Sequence, residues 1–378
     1  MHDLVHDLAK SVAEQECMCL DKANLSNLPR NSHHIDFEVG GQTETQLEKG
    51  TLEKFESLRT LYQLKWDGGQ LRIQGLENVV SVCEAQDANF KGKEDVQELR
   101  LLWENFGETK SVVAEEEVLE ALQPHSNLKR LEIVGCGGIN FPTWIGNTSA
   151  LNSLVYLLLQ RCKNSRQLPS LGRLPSLRKL EIWSMDDVRY IDEEESYNGI
   201  VAKPFPSLEE LKVFSLPNLE QLLRRKTTGI NELLRSICNL NCLNQLHLRG
   251  SKVSYFPEGM MNNMTSLAYL RISFFSELKE LPSDITKLSA LSDLSVDNCD
   301  KLECLPEQGL EGLSSLRHLI IRCCEGLGSL PEGVGQLTSL QSLTIEFCPA
   351  LIKRCVEGTG EDWHKIAHIP KVILKGSD

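Results

Sequence analysis

His2 and His6 stand four residues apart at the start of the chain. On a helix that spacing sets two imidazoles on one face, as in the zinc motif H-E-x-x-H. Asp3 stands where the catalytic glutamate would be, and no third ligand follows, so no metal site is expected. The neighbouring His33 and His34 likewise lack further ligands and read as an exposed loop pair. The chain contains no G-x-S-x-G elbow to carry a nucleophile and no G-x-x-x-x-G-K-[ST] loop to cradle phosphates. These residues predict a protein without catalytic activity that holds no cofactor of its own.

Thirteen cysteines remain, an odd number spread along 378 residues, which does not suit a dense disulfide framework. Five of them, Cys136, Cys162, Cys299, Cys324 and Cys348, share one setting, three residues beyond the last apolar position of the pattern L-x-x-L-x-[LIV]. Copies of that pattern begin at Leu128, Leu154, Leu177, Leu208, Leu243, Leu267, Leu291, Leu316 and Leu340. Their starts lie 23 to 35 residues apart, most of them within the 20–29 residue period of leucine-rich repeats. The cysteine slot turns the chain inward and favours a small residue, so buried structural thiols are expected there. A tenth copy is read at Val96 (VQELRL), and Leu58-x-x-Leu61 is read as a degenerate eleventh.

In each copy the x-L-x-L-x core alternates as a short strand with one face inward. The motifs Phe141-Pro142, Leu168-Pro169, Phe256-Pro257, Leu281-Pro282, Leu305-Pro306 and Leu330-Pro331 mark the return path, where proline fixes a turn. The predicted fold class is an α/β repeat, a leucine-rich-repeat solenoid or horseshoe with a parallel concave sheet and an irregular, short-helical convex side. The solenoid is assigned to residues 58–348, with insertions near 186–206 and 219–240, the second containing a helix. Residues 1–20 read as an amphipathic helix, 21–57 as a connector, and 349–378 as a cap over the last coil.

Composition narrows the partners. Acidic residues number 53 against 40 basic ones, so the formal charge of −13 disfavours nucleic acid. No apolar stretch is long enough to span a bilayer. The first residues carry no basic segment followed by an apolar one, so no signal peptide is expected. N-x-[ST] matches at Asn24, Asn147 and Asn263 would suit an extracellular receptor or inhibitor of the same repeat class, and a general protein-interaction adaptor is a further alternative.

The x positions of the strands form the exposed face on which a partner would sit. Behind each strand's last apolar position stand Val134, Gln160, Trp183, Phe214, Arg249, Ser273, Asp297, Arg322 and Glu346. The central positions include Glu181, Lys212, His247, Arg271 and Thr344, with Tyr269 beside Arg271. Aromatic and arginine side chains carry much of the energy of protein interfaces. Trp183, Phe214, His247, Arg249, Tyr269, Arg271 and Arg322 are therefore the candidate partner-binding residues.

Three segments give the chain a resemblance to the C-terminal part of plant intracellular nucleotide-binding leucine-rich-repeat disease-resistance proteins of the coiled-coil class. Met1-His2-Asp3-Leu4-Val5-His6-Asp7-Leu8-Ala9 resembles the M-H-D motif that closes the family's nucleotide-binding region. Leu71-Arg72-Ile73-Gln74-Gly75-Leu76-Glu77-Asn78-Val79 is similar to the start of its repeats. Cys348-Pro349, Gly360-Glu361-Asp362-Trp363 and Ile366-Ala367-His368-Ile369-Pro370 are similar to its tail. The resemblance implies a cytoplasmic or also nuclear defence receptor whose repeats bind a pathogen effector or a host protein and restrain the receptor's own nucleotide-binding region. It further implies that His2, with Asp3 in support, faces ADP where such a region precedes, ADP or ATP being the nucleotide of full-length members. On this reading residues 1–20 are the end of the nucleotide-binding and winged-helix region, and the chain is one half of a sensor.

Overall fold

The computed structural model describes residues 69–104, 113–188, 205–215, 240–250, 254–256, 261, 264–307 and 310–376, together with Leu58 and the backbone of five further short strands. The chain divides into two compact units, Met1–Leu177 and Arg178–Asp378. His2, Asp3 and the rest of the first sixteen residues lie outside the described residues, as does most of both insertions.

In the first unit the strands are β1 (Cys17–Cys19), β2 (His34–Val39), β3 (Lys54–Phe55), β4 (Gly69–Gln74), β5 (Val96–Leu102), β6 (Arg130–Val134) and β7 (Tyr156–Gln160). They form a parallel sheet in the order β1-β2-β4-β5-β6-β7, with β3 beside β2. The second unit holds β8 (Lys179–Trp183), β9 (Asp192–Glu193), β10 (Glu210–Phe214), β11 (Leu223–Arg224), β12 (Gln245–Arg249), β13 (Tyr269–Ser273), β14 (Asp293–Asp297), β15 (His318–Arg322), β16 (Ser342–Glu346) and β17 (Lys371–Lys375). Its sheet runs β8-β10-β12-β13-β14-β15-β16-β17, again all parallel, and β9 pairs with β11 apart from it. Each of the nine L-x-x-L-x-[LIV] copies supplies one five-residue strand at the expected place, and the copy at Val96 supplies β5.

Register explains the core. Leu211 stands opposite Leu180 and Leu246, and Val213 opposite Ile182 and Leu248, so each inward side chain stacks on the same position of the next coil. The leading leucines Leu208, Leu243, Leu267 and Leu291 are fully buried beside them. A single coil cannot cover its own leucines, and stacking does so. On the return path Leu168, Leu281, Leu305 and Leu330 are buried, and single-turn 3-10 helices follow Pro282 and Pro331, whose extended backbone suits the start of such a turn. The first unit carries α1 (Val82–Asp87) and α2 (Glu115–Ala121) on its return segments besides short 3-10 helices such as Leu171–Arg173.

Every repeat strand of the second unit from β8 to β16 is followed by a residue in the left-handed region: Ser184, Ser215, Gly250, Phe274, Asn298, Cys323 and Phe347. Their amides extend the ladder, as in Ser215 N–H to the Arg249 carbonyl (2.8 Å) and Phe274 N–H to the Asp297 carbonyl (2.9 Å). The left-handed turn drops the next side chain beneath the strand. There the thiols of Cys299, Cys324 and Cys348 donate to the carbonyls of Asp297, Arg322 and Glu346, two residues back. All five repeat-slot cysteines are buried, and burial pushes the Cys162 thiol up to about 12.

The N-terminal reading needs correction. Leu58 is buried in a 3-10 turn, its N–H donating to the Glu84 carboxylate (2.7 Å), and the rest of Leu58-x-x-Leu61 lies outside the described residues. Residues 21–57 are more than a connector, because β2 lies within them and pairs in register with β4. Its alternating Ile35, Phe37 and Val39 make a strand without the leucine spacing. Cys17–Cys19, at the end of the segment read as a helix, is extended as β1.

The tail both caps and continues the array. α3 (Pro349–Arg354) and α4 (Trp363–Ile366) lead into β17, which pairs with β16. Asp362, fully buried, accepts from Arg354 Nε (3.0 Å) and Nη2 (3.1 Å), from Lys365 Nζ (2.9 Å) and from the Leu330 N–H (3.0 Å). Burial alone would raise its pKa, but these donors outweigh burial and hold it well below the usual carboxylate range.

Candidate partner-binding face

The x positions of β8–β16 form the outer face of the second unit's sheet. Three columns run across it, set by strict register: Trp183, Phe214, Arg249, Ser273, Asp297, Arg322 and Glu346 stand side by side in the last column. The central column runs Glu181, Lys212, His247, Arg271, Ser295, Ile320 and Thr344.

The two ends of this face differ in kind. Toward β16 the charges are consumed among themselves. Asp297, only 2% exposed, accepts from Arg271 Nε and from Ser295 Oγ at 2.9 Å each, and Arg322 Nη1 approaches it at 3.6 Å. Arg322 Nε bonds Glu346 at 2.7 Å, and Lys375 reaches Glu346 at 3.2 Å. The Arg322 and Lys375 contacts hold Glu346 below the ordinary carboxylate value. Arg271 and Arg322, both expected to meet a partner, are thus tied into an internal chain through a buried carboxylate that the leucine pattern does not single out.

Toward β8 the face is aromatic. The Trp183 and Phe214 rings pack at 4.9 Å in a tilted pair, and His247 stacks on Tyr269 at 4.9 Å with 21° between ring planes. Lys212 lies between them, bonded to Glu181 (3.1 Å) and Glu210 (2.7 Å). Burial, then the Lys212 and Arg271 charges, lower the His247 pKa, so the ring is neutral near pH 7. Two buried nitrogens of this patch, Trp183 Nε1 and His247 Nε2, have no hydrogen-bond partner. Arg249 stacks over Phe274 at 4.2 Å, and Phe274 is 44% exposed. Phe274 escapes strand periodicity because it occupies the left-handed slot after β13. An exposed aromatic in that slot is the signal that marks it.

Of the expected residues, the structure therefore gathers Trp183, Phe214, His247, Arg249 and Tyr269 into one patch and separates Arg271 and Arg322 from it by their ion pairs. In the first unit a smaller aromatic and basic pair also stands on the sheet, with Arg130 over the Tyr156 ring at 3.7 Å. Among the described residues no cluster of His, Cys, Asp and Glu is arranged to hold a metal, and no helix is long and apolar enough to cross a membrane.

The family described as R13L1/DRL21 LRRs matches residues 51–185. Disease resistance protein RGA2 of Solanum bulbocastanum is 45% identical over 322 residues, covering 81% of this chain and 33% of that protein. The chain belongs to the leucine-rich-repeat portion of the plant disease-resistance family. A relative from the same plant named "Putative disease resistance protein RGA1" is 42% identical over 335 residues, covering 81% of this chain and 34% of its own length. The chain thus spans about a third of the length of these curated relatives. Among solved structures, the TLR13–ssRNA13 complex covers 94% of this chain and 48% of its own at a TM-score of 0.56 and 15% identity, a likeness of fold.

Proposed function

We infer that this chain is the recognition portion of a plant defence receptor, binding a pathogen effector or a host protein through the aromatic end of the second unit's sheet. It acts by binding rather than catalysis, and it holds no cofactor of its own. The observation that carries this reading is the patch itself: two aromatic pairs with two unsatisfied buried nitrogens, on a face whose other end is closed by its own ion pairs. Buried polar groups without partners cost free energy unless something supplies the missing bond.

In a full-length receptor the same portion restrains the nucleotide-binding region in the cytoplasm or nucleus. The nucleotide, ADP or ATP, is held by that other region, with His2 and Asp3 at its closing motif. Recognition and release are then one equilibrium between two states, shifted by whatever the partner gains in one of them. The −13 charge supports a protein partner over nucleic acid.

The test is co-precipitation of the tagged chain with a panel of effectors, and with host proteins from challenged leaf, using the wild type, Trp183→Ala with Phe214→Ala, and Lys375→Ala. The reading expects at least one partner that the aromatic double variant loses and Lys375→Ala keeps. A partner retained by the double variant, or no partner across the panel, contradicts it.

A further inference from the structure

Arg249 differs from the other cations of this sheet. Lys179 and Lys212 meet Glu210, Arg271 meets Asp297, and Arg322 meets Glu346. Among the described residues, Arg249 is the one arginine or lysine of β8, β10 and β12–β16 that meets no carboxylate. It lies exposed against the Phe274 ring. A guanidinium held on an aromatic face keeps its planar fork of donors open to a carboxylate.

Its neighbours define what accompanies that carboxylate. Arg249 shares a column with Trp183 and Phe214, two strand steps from Trp183 and one from Phe214. At about 4.8 Å per step the column from Trp183 to Arg249 spans about 10 Å, the reach of three extended residues at about 3.3 Å each. Along that line stand the Trp183 indole, then the Phe214 ring, then an unpaired guanidinium. His247, in the next column and neutral, places no charge beside the guanidinium.

We propose that this column selects an extended protein segment carrying an aspartate or glutamate within two residues of an aromatic or large aliphatic side chain, the carboxylate seated on Arg249 and the apolar group on Phe214 and Trp183. This specificity rests on the reading of the face as a partner surface. It adds the chemistry that the surface accepts.

Random twelve-residue peptides displayed on phage, panned on the immobilised full chain and depleted on an Arg249→Glu chain, test it. Enriched sequences are expected to hold an acidic residue next to, or one removed from, an aromatic or large aliphatic one. Synthetic copies should bind wild type at least roughly tenfold more tightly than Arg249→Glu, and equally well to Lys371→Glu, a charge at the edge strand. Trp183→Leu keeps an apolar side chain and removes the indole face, and it should weaken binding several-fold even where Trp183→Ala disturbs packing. Peptides lost on Trp183→Leu but without acidic preference, and indifferent to Arg249→Glu, overturn the acidic chemistry while leaving the face as a partner surface. Peptides indifferent to both substitutions, or no enrichment at all, overturn the proposal together with the face.

Discussion

Replacing Asp362 should unfasten the C-terminal end of the array. Its carboxylate is fully buried and gathers Arg354, Lys365 and the Leu330 N–H, so it ties the tail to the return segment of the repeat before β16. Removing one partner of a buried ion pair typically costs about 3–5 kcal/mol, mostly through the charge left behind. Here the stranded cation is Lys365, 8% exposed, which retains Glu332 and the Leu330 carbonyl. Arg354 is 35% exposed and turns to water or to Glu361. Those outlets place Asp362→Ala near the lower end, about 3 kcal/mol, and Asp362→Asn, which keeps an acceptor for the amide, about half of that.

In a repeat array such a loss appears first at the end it touches. Hydrogen exchange of the β17 and β16 amides should therefore accelerate about a hundredfold in Asp362→Ala, since each 1.4 kcal/mol is about tenfold. Exchange in β12 and β13 should change little. The pH dependence has a definite sign. Because the folded pKa lies well below the unfolded value of about 3.9, the contribution is complete above that pH and is lost as pH falls through the folded value. Unchanged β17 exchange in Asp362→Ala, or a cap that already loosens at pH 5, would refute the assignment.

Three further outcomes follow from the repeat geometry. An alanine Cβ at Gly250 would meet nothing closer than 3.5 Å, so Gly250→Ala should lose only the left-handed penalty, about 1–2 kcal/mol in urea unfolding; Gly312→Ala, which would run into the Thr286 carbonyl, should lose more. At pH 8 iodoacetamide should modify the exposed Cys83 and Cys242 in the native chain and spare the buried Cys136 and Cys162, with mass spectrometry reading the sites; equal labelling would contradict their burial. The His247 imidazole should titrate below 6.5 by NMR, so its contribution to stability is complete above that pH and falls away as pH drops through the folded value; a midpoint at or above 6.5 would show that burial, with the Lys212 and Arg271 charges beside it, does not depress it.

The nine strands were legible because the leucine spacing is a direct record of which side chains face inward, from Leu131 and Ile133 in β6 to Leu343 and Ile345 in β16. β2 and β17 were not, for HIDFEV and KVILK pair in register with their neighbours without a leading leucine of the repeat pattern. On the outer face, periodicity identified the columns and hence Trp183, Phe214 and Arg249. It could not weigh Asp297, whose partners Arg271 and Arg322 come from the strands on either side and are 25 or 26 residues away in sequence. Register sets Asp297 opposite Arg322 but leaves Arg271 opposite Ser295, so the Arg271 contact is a diagonal that aligned columns do not give. Phe274 was hidden for another reason: the left-handed backbone takes it out of the alternation on which strand reading depends.

The central claim is that partners meet the aromatic end of the second unit's sheet. A hydrogen-exchange footprint of the chain, with and without a partner captured by co-precipitation, tests it most directly. The account predicts protection concentrated in residues 179–183, 210–214 and 245–249 and absent from 318–322 and 342–346. Protection confined to the charged strands β15 and β16, or to the first unit, would contradict it.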